Sequence, residues 1–94
     1  MRYVLENDTL RVEIDSFGAE LKSVKRKSDG KEYMWYADKK YWGRTSPVLF
    51  PFVGICRNKE YRYGGKTYAI GQHGFARDME HTMESQTADT IWFS

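Results

Sequence analysis

The sequence predicts an all-β fold made of antiparallel hairpins, and three observations carry that prediction. Leu10, Val12 and Ile14 alternate with Arg11, Glu13 and Asp15, the period of two expected of a strand with one buried face. Turn dipeptides recur between the apolar stretches, at Asn7-Asp8, Asp29-Gly30 and Gly64-Gly65, where such pairs connect antiparallel strands. Aromatic residues make up 16% of the chain, which suits pleated surfaces and sugar-facing ones alike.

Taken in order, residues 2–7 and 9–15 form a hairpin around Asn7-Asp8, closed by Ser16-Phe17-Gly18. Residues 19–27 read two ways. Phe17, Leu21 and Val24 have helical spacing, whereas Lys25-Arg26-Lys27 running into Ser28-Asp29-Gly30 reads as a charged strand entering a tight turn. The strand is preferred, because a hairpin accounts for both sides of Asp-Gly, with residues 32–36 returning. The basic run is then a solvated edge that resists strand addition, not a nucleic-acid patch.

Residues 37–47 are loop. Residues 48–54 form the most apolar run, but Pro51 cannot donate to a ladder, so a buried, irregular segment lining a cleft is expected there. Residues 61–63 and 66–70 flank Gly64-Gly65 as a hairpin. Residues 79–86 and 90–94 are further strands joined near Ala88-Asp89. The last ends on Ile91-Trp92-Phe93-Ser94 with no following partner, which reads as an interrupted domain or as a terminal strand docked in a sheet.

Composition bounds the function. Ninety-four residues make one small domain or part of a larger one, and a chain of this size buries only about 60–65% of its unfolded surface. A net charge of +2 is too small to argue for nucleic acid. The single Cys56 rules out an intrachain disulfide and fits a reducing compartment. No apolar run approaches about 18 residues, so no membrane span is expected. The start carries no hydrophobic leader, and a cytoplasmic location is the expectation.

The candidate site is Gln72-His73-Gly74-Phe75-Ala76-Arg77-Asp78. It sets an imidazole between glycines, with a guanidinium at i+4 and a carboxylate at i+5. Such a loop, tied between strands, can face a ligand. His73 and Arg77 suit an oxygen-rich or anionic ligand, since arginine offers forked donors and histidine donates or accepts near neutrality. The plainer reading pairs Arg77 with Asp78 or a neighbour and leaves His73 bonded to backbone. Arg44 and Arg57 are further candidates, although spacing alone favours reading each as a solvated loop arginine. Cys56, His73 and His81 lack the close spacing of metal ligands, so no metal and no cofactor are expected. Trp35, Trp42 and Trp92 could stack on sugar rings, but at least two of them are expected in the core.

Three motifs at consistent spacing resemble the aldose 1-epimerase (galactose mutarotase-like) family, and within it the LacX-type branch. They are residues 41–54, residues 61–68 and residues 72–78, and the opening at Phe17-Gly18-Ala19-Glu20-Leu21 and Asp29-Gly30-Lys31-Glu32-Tyr33 is similar too. Family members are roughly three times as long, β-supersandwiches of a kind that can exceed about 200 residues as one domain. The resemblance therefore implies that residues 1–94 are the N-terminal part of one such domain. It also implies interconversion of the α and β anomers of an aldose or hexose phosphate by general acid–base catalysis. The family's carboxylate base and acid histidine lie beyond the matched region, so no catalytic residue is expected within these 94. His73 matches a histidine that binds the sugar near its ring oxygen. Arg77 matches a substrate-facing arginine of the hexose-phosphate branch, and Arg44 lies near another. Arg57 is set against the branch's Gly-Arg, because Ile55 stands where that arginine is found. A non-catalytic carbohydrate-binding module is the alternative. Self-association of the chain is expected if it is a fragment.

Overall fold

Asn7 closes the first hairpin with its own side chain. Its Oδ1 accepts the amides of Thr9 and Leu10, both at 2.8 Å, which is why asparagine suits this turn. In this computed structural model, which describes residues 1–94, β1 (Arg2–Glu6) and β2 (Leu10–Asp15) pair on either side of it. Tyr3 lies opposite Ile14 and Leu5 opposite Val12. β3 (Glu20–Arg26) adds to the other edge of β2, giving the order β1-β2-β3. Pairing of Val24 with Val12 outweighs the helical spacing of residues 17–24.

The expected return strand over residues 32–36 is not formed beyond one bridge, Lys25 to Glu32. The Glu32 carboxylate itself accepts the Val24 amide at 2.9 Å. That donor is thereby withdrawn from any strand that would follow. The chain instead leaves the sheet, and Trp35 packs on Tyr36 and donates its indole N–H to the Trp42 carbonyl at 2.7 Å.

Two further hairpins follow. β4 (Glu60–Tyr63) and β5 (Lys66–Ala69) pair across Gly64-Gly65, with Tyr61 stacked on Tyr68 at 5.2 Å. β6 (Met83–Gln86) and β7 (Ile91–Phe93) pair across the turn at 87–90. They dock on the first sheet through Gln86 Nε2, which donates to the Val4 carbonyl at 2.9 Å, and through an edge contact of Tyr3 with Phe93. No helix is long and apolar enough to cross a membrane.

The core is thin. The molecule is a slab of 54 × 34 × 17 Å with a Cα radius of gyration of 16.2 Å, against about 12 Å for a compact domain of this length. Only seven residues are buried, Ile14, Ile70 and Ala76 among them. Two expectations fail for this reason. The run over residues 48–54 is irregular as expected but exposed rather than buried, with Val53 79% exposed. None of the three tryptophans is buried, and Trp42 and Trp92 are 49% and 64% exposed. A sheet needs a second layer about 10 Å away to cover such side chains, and these 94 residues form little more than one.

Candidate functional site

The irregular segment and the histidine loop are clamped together by glycine. Phe50 bridges Gly74 in parallel, and the Phe50 carbonyl accepts the amide of Phe75 at 3.0 Å. A Cβ on Gly74 would lie 2.2 Å from that carbonyl oxygen, and its φ is +76°. Only glycine fits this approach.

His73 is held at a positive φ of 60° by reciprocal bonds to Gly54. Its amide donates to the Gly54 carbonyl at 2.7 Å, and its Nδ1 accepts the Gly54 amide at 2.8 Å. Because Nδ1 accepts, the neutral ring carries its proton on Nε2 and presents a donor there. Strain at a non-glycine residue is found where surrounding structure enforces a particular geometry.

A 3-10 turn, Ala76–Asp78, follows at once and sets Arg77 beside the histidine. The turn is bracketed on both sides. His81 Nε2 donates to the Ala76 carbonyl at 2.9 Å, and the His81 amide donates to the Ser16 carbonyl at 2.8 Å. His81, which matches no motif, is thus a brace for Arg77. On the opposite side Gly18 passes so close that a Cβ there would lie 2.6 Å from the Arg77 carbonyl oxygen.

His73, Gln72, Arg77, Trp42, Pro47 and Leu49 line a cleft of about 270 Å³. Arg77 donates to the Gln72 carbonyl at 2.9 Å, while its Nε stays 3.9 Å from Asp78 and has no hydrogen-bond partner. The plainer reading of the sequence therefore describes the loop's internal bonds well, yet both side chains still line the cleft. Arg44 does not line it. Arg44 binds Asp78 at 2.9 Å and faces an adjoining basin of about 480 Å³. Asp78 stands between the two arginines. Arg57 is in neither place: it lies with Asn58, Tyr61 and Arg62 along a separate depression beside β4.

One residue that shapes the cleft was not among the candidates read from the sequence. Glu20, 3% exposed, accepts the amides of Thr45 and Ser46 at 2.9 and 3.3 Å and pairs with Lys22 at 2.8 Å. Burial alone would raise its carboxyl, but Lys22 and the two amides more than offset that and hold it below the ordinary glutamate range. This carboxylate fixes the loop that leads from Arg44 into Pro47, one wall of the cleft. Its position directly after the Gly18-Ala19 turn was the available signal. No cluster of three or more His, Cys, Asp or Glu is placed to hold a metal ion.

Comparison with known proteins agrees on one family. The sequence model described as aldose 1-epimerase matches residues 1–94. The plasmid-encoded protein LacX of Lactococcus lactis subsp. lactis is 38% identical over 99 aligned residues, covering all of this chain and 33% of that protein. A solved structure of a galactose mutarotase related enzyme from Lactobacillus acidophilus superposes with a TM-score of 0.95 at 48% identity, over 99% of this chain and 31% of that one. A galactose mutarotase-like protein from Lactobacillus casei gives 0.92 at 39% identity, over 99% and 32%. The chain spans about a third of the length of the curated relatives it matches.

Proposed function

The chain belongs to the aldose 1-epimerase family, and on that premise we propose that it forms the sugar-binding part of an enzyme interconverting the α and β anomers of an aldose. The carrying observation is His73 itself: the Gly54 amide occupies its Nδ1, which leaves Nε2–H as the ring's donor, and the residue lines the cleft with Trp42, Gln72 and Arg77. A donor there suits the ring oxygen of a pyranose, Arg77 suits the hydroxyls, and the indole of Trp42 suits the apolar face of a sugar.

In the reaction a carboxylate removes the proton of the anomeric hydroxyl while an acid protonates the ring oxygen. The bond from C1 to the ring oxygen breaks, the C1–C2 bond rotates, and closure yields the other anomer. His73 binds and polarises the ring oxygen and Arg77 orients the sugar. The resemblance implies that base and acid lie outside the matched residues, and the absence of a carboxylate among the residues lining the cleft is consistent with that. The same observation favours a second reading, a carbohydrate-binding module without catalysis.

Anomer exchange measured by NMR on the purified chain tests this with glucose, galactose and glucose 6-phosphate. Sugar-dependent line broadening that His73→Ala removes is the expected result. Exchange faster than buffer shows that the chain holds acid and base itself. Absence of any interaction overturns the sugar site.

A further inference from the structure

The Tyr33 amide donates to the Val24 carbonyl at 2.9 Å, and Arg44 binds Asp78. Between those two anchors the chain forms hydrogen bonds only with itself. The Asp38 carbonyl accepts the amides of Tyr41 and Trp42 at 3.0 and 2.9 Å, and its Oδ1 accepts the Lys40 amide at 3.0 Å. Ala37, at a φ of 59°, turns the chain just before it. The two ends then meet, because Trp35 Nε1–H donates to the Trp42 carbonyl at 2.7 Å across seven residues. Residues 35–42 are thus a closed surface loop packed by its own side chains, a form frequent at functional positions.

The loop carries one wall of the cleft. Trp42 lines it with His73 and Arg77, yet its side chain is 49% exposed. An indole so exposed has little packing to fix it, so its place rests on the backbone that carries it. Tyr36 and Tyr41 are 72% and 70% exposed and anchor the loop to no other element. Trp35 contacts both, at ring separations of 4.5 and 6.3 Å, and its N–H is spent on the Trp42 carbonyl.

We propose that Trp35 is a positioning residue for the sugar site. Its bond to the Trp42 carbonyl closes the loop and holds Trp42 as the aromatic wall of the cleft before the ligand arrives. Without that bond the ligand has to order the loop as it binds, and the ordering entropy is subtracted from affinity. The inference rests on the sugar-site reading above and adds to it the residue that sets the aromatic wall.

NMR titration of the full-length protein with glucose and with galactose is the test. Trp35→Phe keeps a ring against Tyr36 and Tyr41 and removes the indole N–H. It is expected to weaken binding about three- to tenfold, the worth of one hydrogen bond. In a Trp42→Ala background the same change is expected to have no further effect, because the indole it serves is absent. Equal affinity of Trp35→Phe and the parent overturns the inference and leaves the sugar site standing. So does a loss of the same factor in both backgrounds, which marks a general structural role. Failure of the parent to bind either sugar overturns the sugar-site reading, and the inference with it. Hydrogen exchange on the parent protein gives a second measurement free of variants. Bound sugar is expected to slow exchange at the Trp35 indole several-fold and to leave that of Trp92, on β7, unchanged. A Trp35 indole that exchanges equally fast with and without sugar overturns the inference.

Discussion

Gly18 and Arg77 touch through backbone alone: a methyl group on Gly18 would sit 2.6 Å from the Arg77 carbonyl oxygen. The turn that ends the first hairpin is therefore the floor on which the arginine turn rests. The Gly18 amide also donates to the Met79 carbonyl at 2.6 Å, which ties the far end of the same turn.

Gly18→Ala is expected to destabilise the protein by about 1–3 kcal/mol, through a φ of +77° and the collision with Arg77. Gly74→Ala, facing the Phe50 carbonyl, is expected to cost at least as much. Gly71→Ala meets nothing within 4 Å and is expected to stay within about 0.5 kcal/mol. Denaturant unfolding of the three variants checks the order.

His73→Asn separates the scaffold from the site. Asparagine tolerates positive φ and can accept the Gly54 amide, so stability is expected to hold within about 1 kcal/mol. Sugar affinity is expected to fall about tenfold or more, because the Nε2 donor is gone. Calorimetry beside a thermal melt reads both effects.

Glu20 makes stability depend on pH. Its carboxyl titrates lower in the folded chain than in the unfolded one, so its contribution is present above the unfolded value and is lost as pH falls through the folded value. Glu20→Gln is expected to cost about 1–3 kcal/mol at neutral pH, because the neutral amide loses the Lys22 ion pair and the charge that strengthens the two backbone hydrogen bonds. That difference from the parent protein is expected to shrink on acidification through the carboxylate range. Paired urea titrations at neutral and acid pH measure it.

Asp78 screens the two arginines from each other. Its side chain is half exposed, so Asp78→Asn is expected to cost less than about 1 kcal/mol of stability. The same change is expected to raise affinity for inorganic phosphate several-fold, and calorimetry at low and high salt would register it.

The exposed apolar run predicts association of the 94-residue chain. Phe50, Val53 and Ile55 are each more than half exposed, and β4–β5 and β6–β7 are two-stranded sheets with open edges. Light scattering is expected to show self-association that Val53→Lys weakens. A stable monomer at all concentrations would count against this.

Local patterns were readable wherever the deciding interactions lie within a few residues. The Asn7 turn, the Gly64-Gly65 hairpin and the alternation of β2 follow from backbone and side-chain preferences of neighbours, and each appears in the structure. The solvated edge at Lys25-Arg26-Lys27 is of the same kind, with Arg26 held by Asp29 across the turn. The return strand after Gly30 failed on a detail of similar range, the Glu32 carboxylate taking the Val24 amide.

Residue pattern alone was enough for the all-β class, for three of the four expected hairpins, for the family and for the presence of His73 and Arg77 in one loop. What those residues face was set by packing between hairpins. It bound Arg44 to Asp78, moved Arg57 to another surface, and gave His81 and Glu20 their bracing roles. It also left Trp42 open at the cleft. Separation along the chain accounts for this: the Arg44–Asp78 and Glu20–Thr45 bonds span 34 and 25 residues. No local propensity encodes such pairings, because they exist only once separate hairpins have packed.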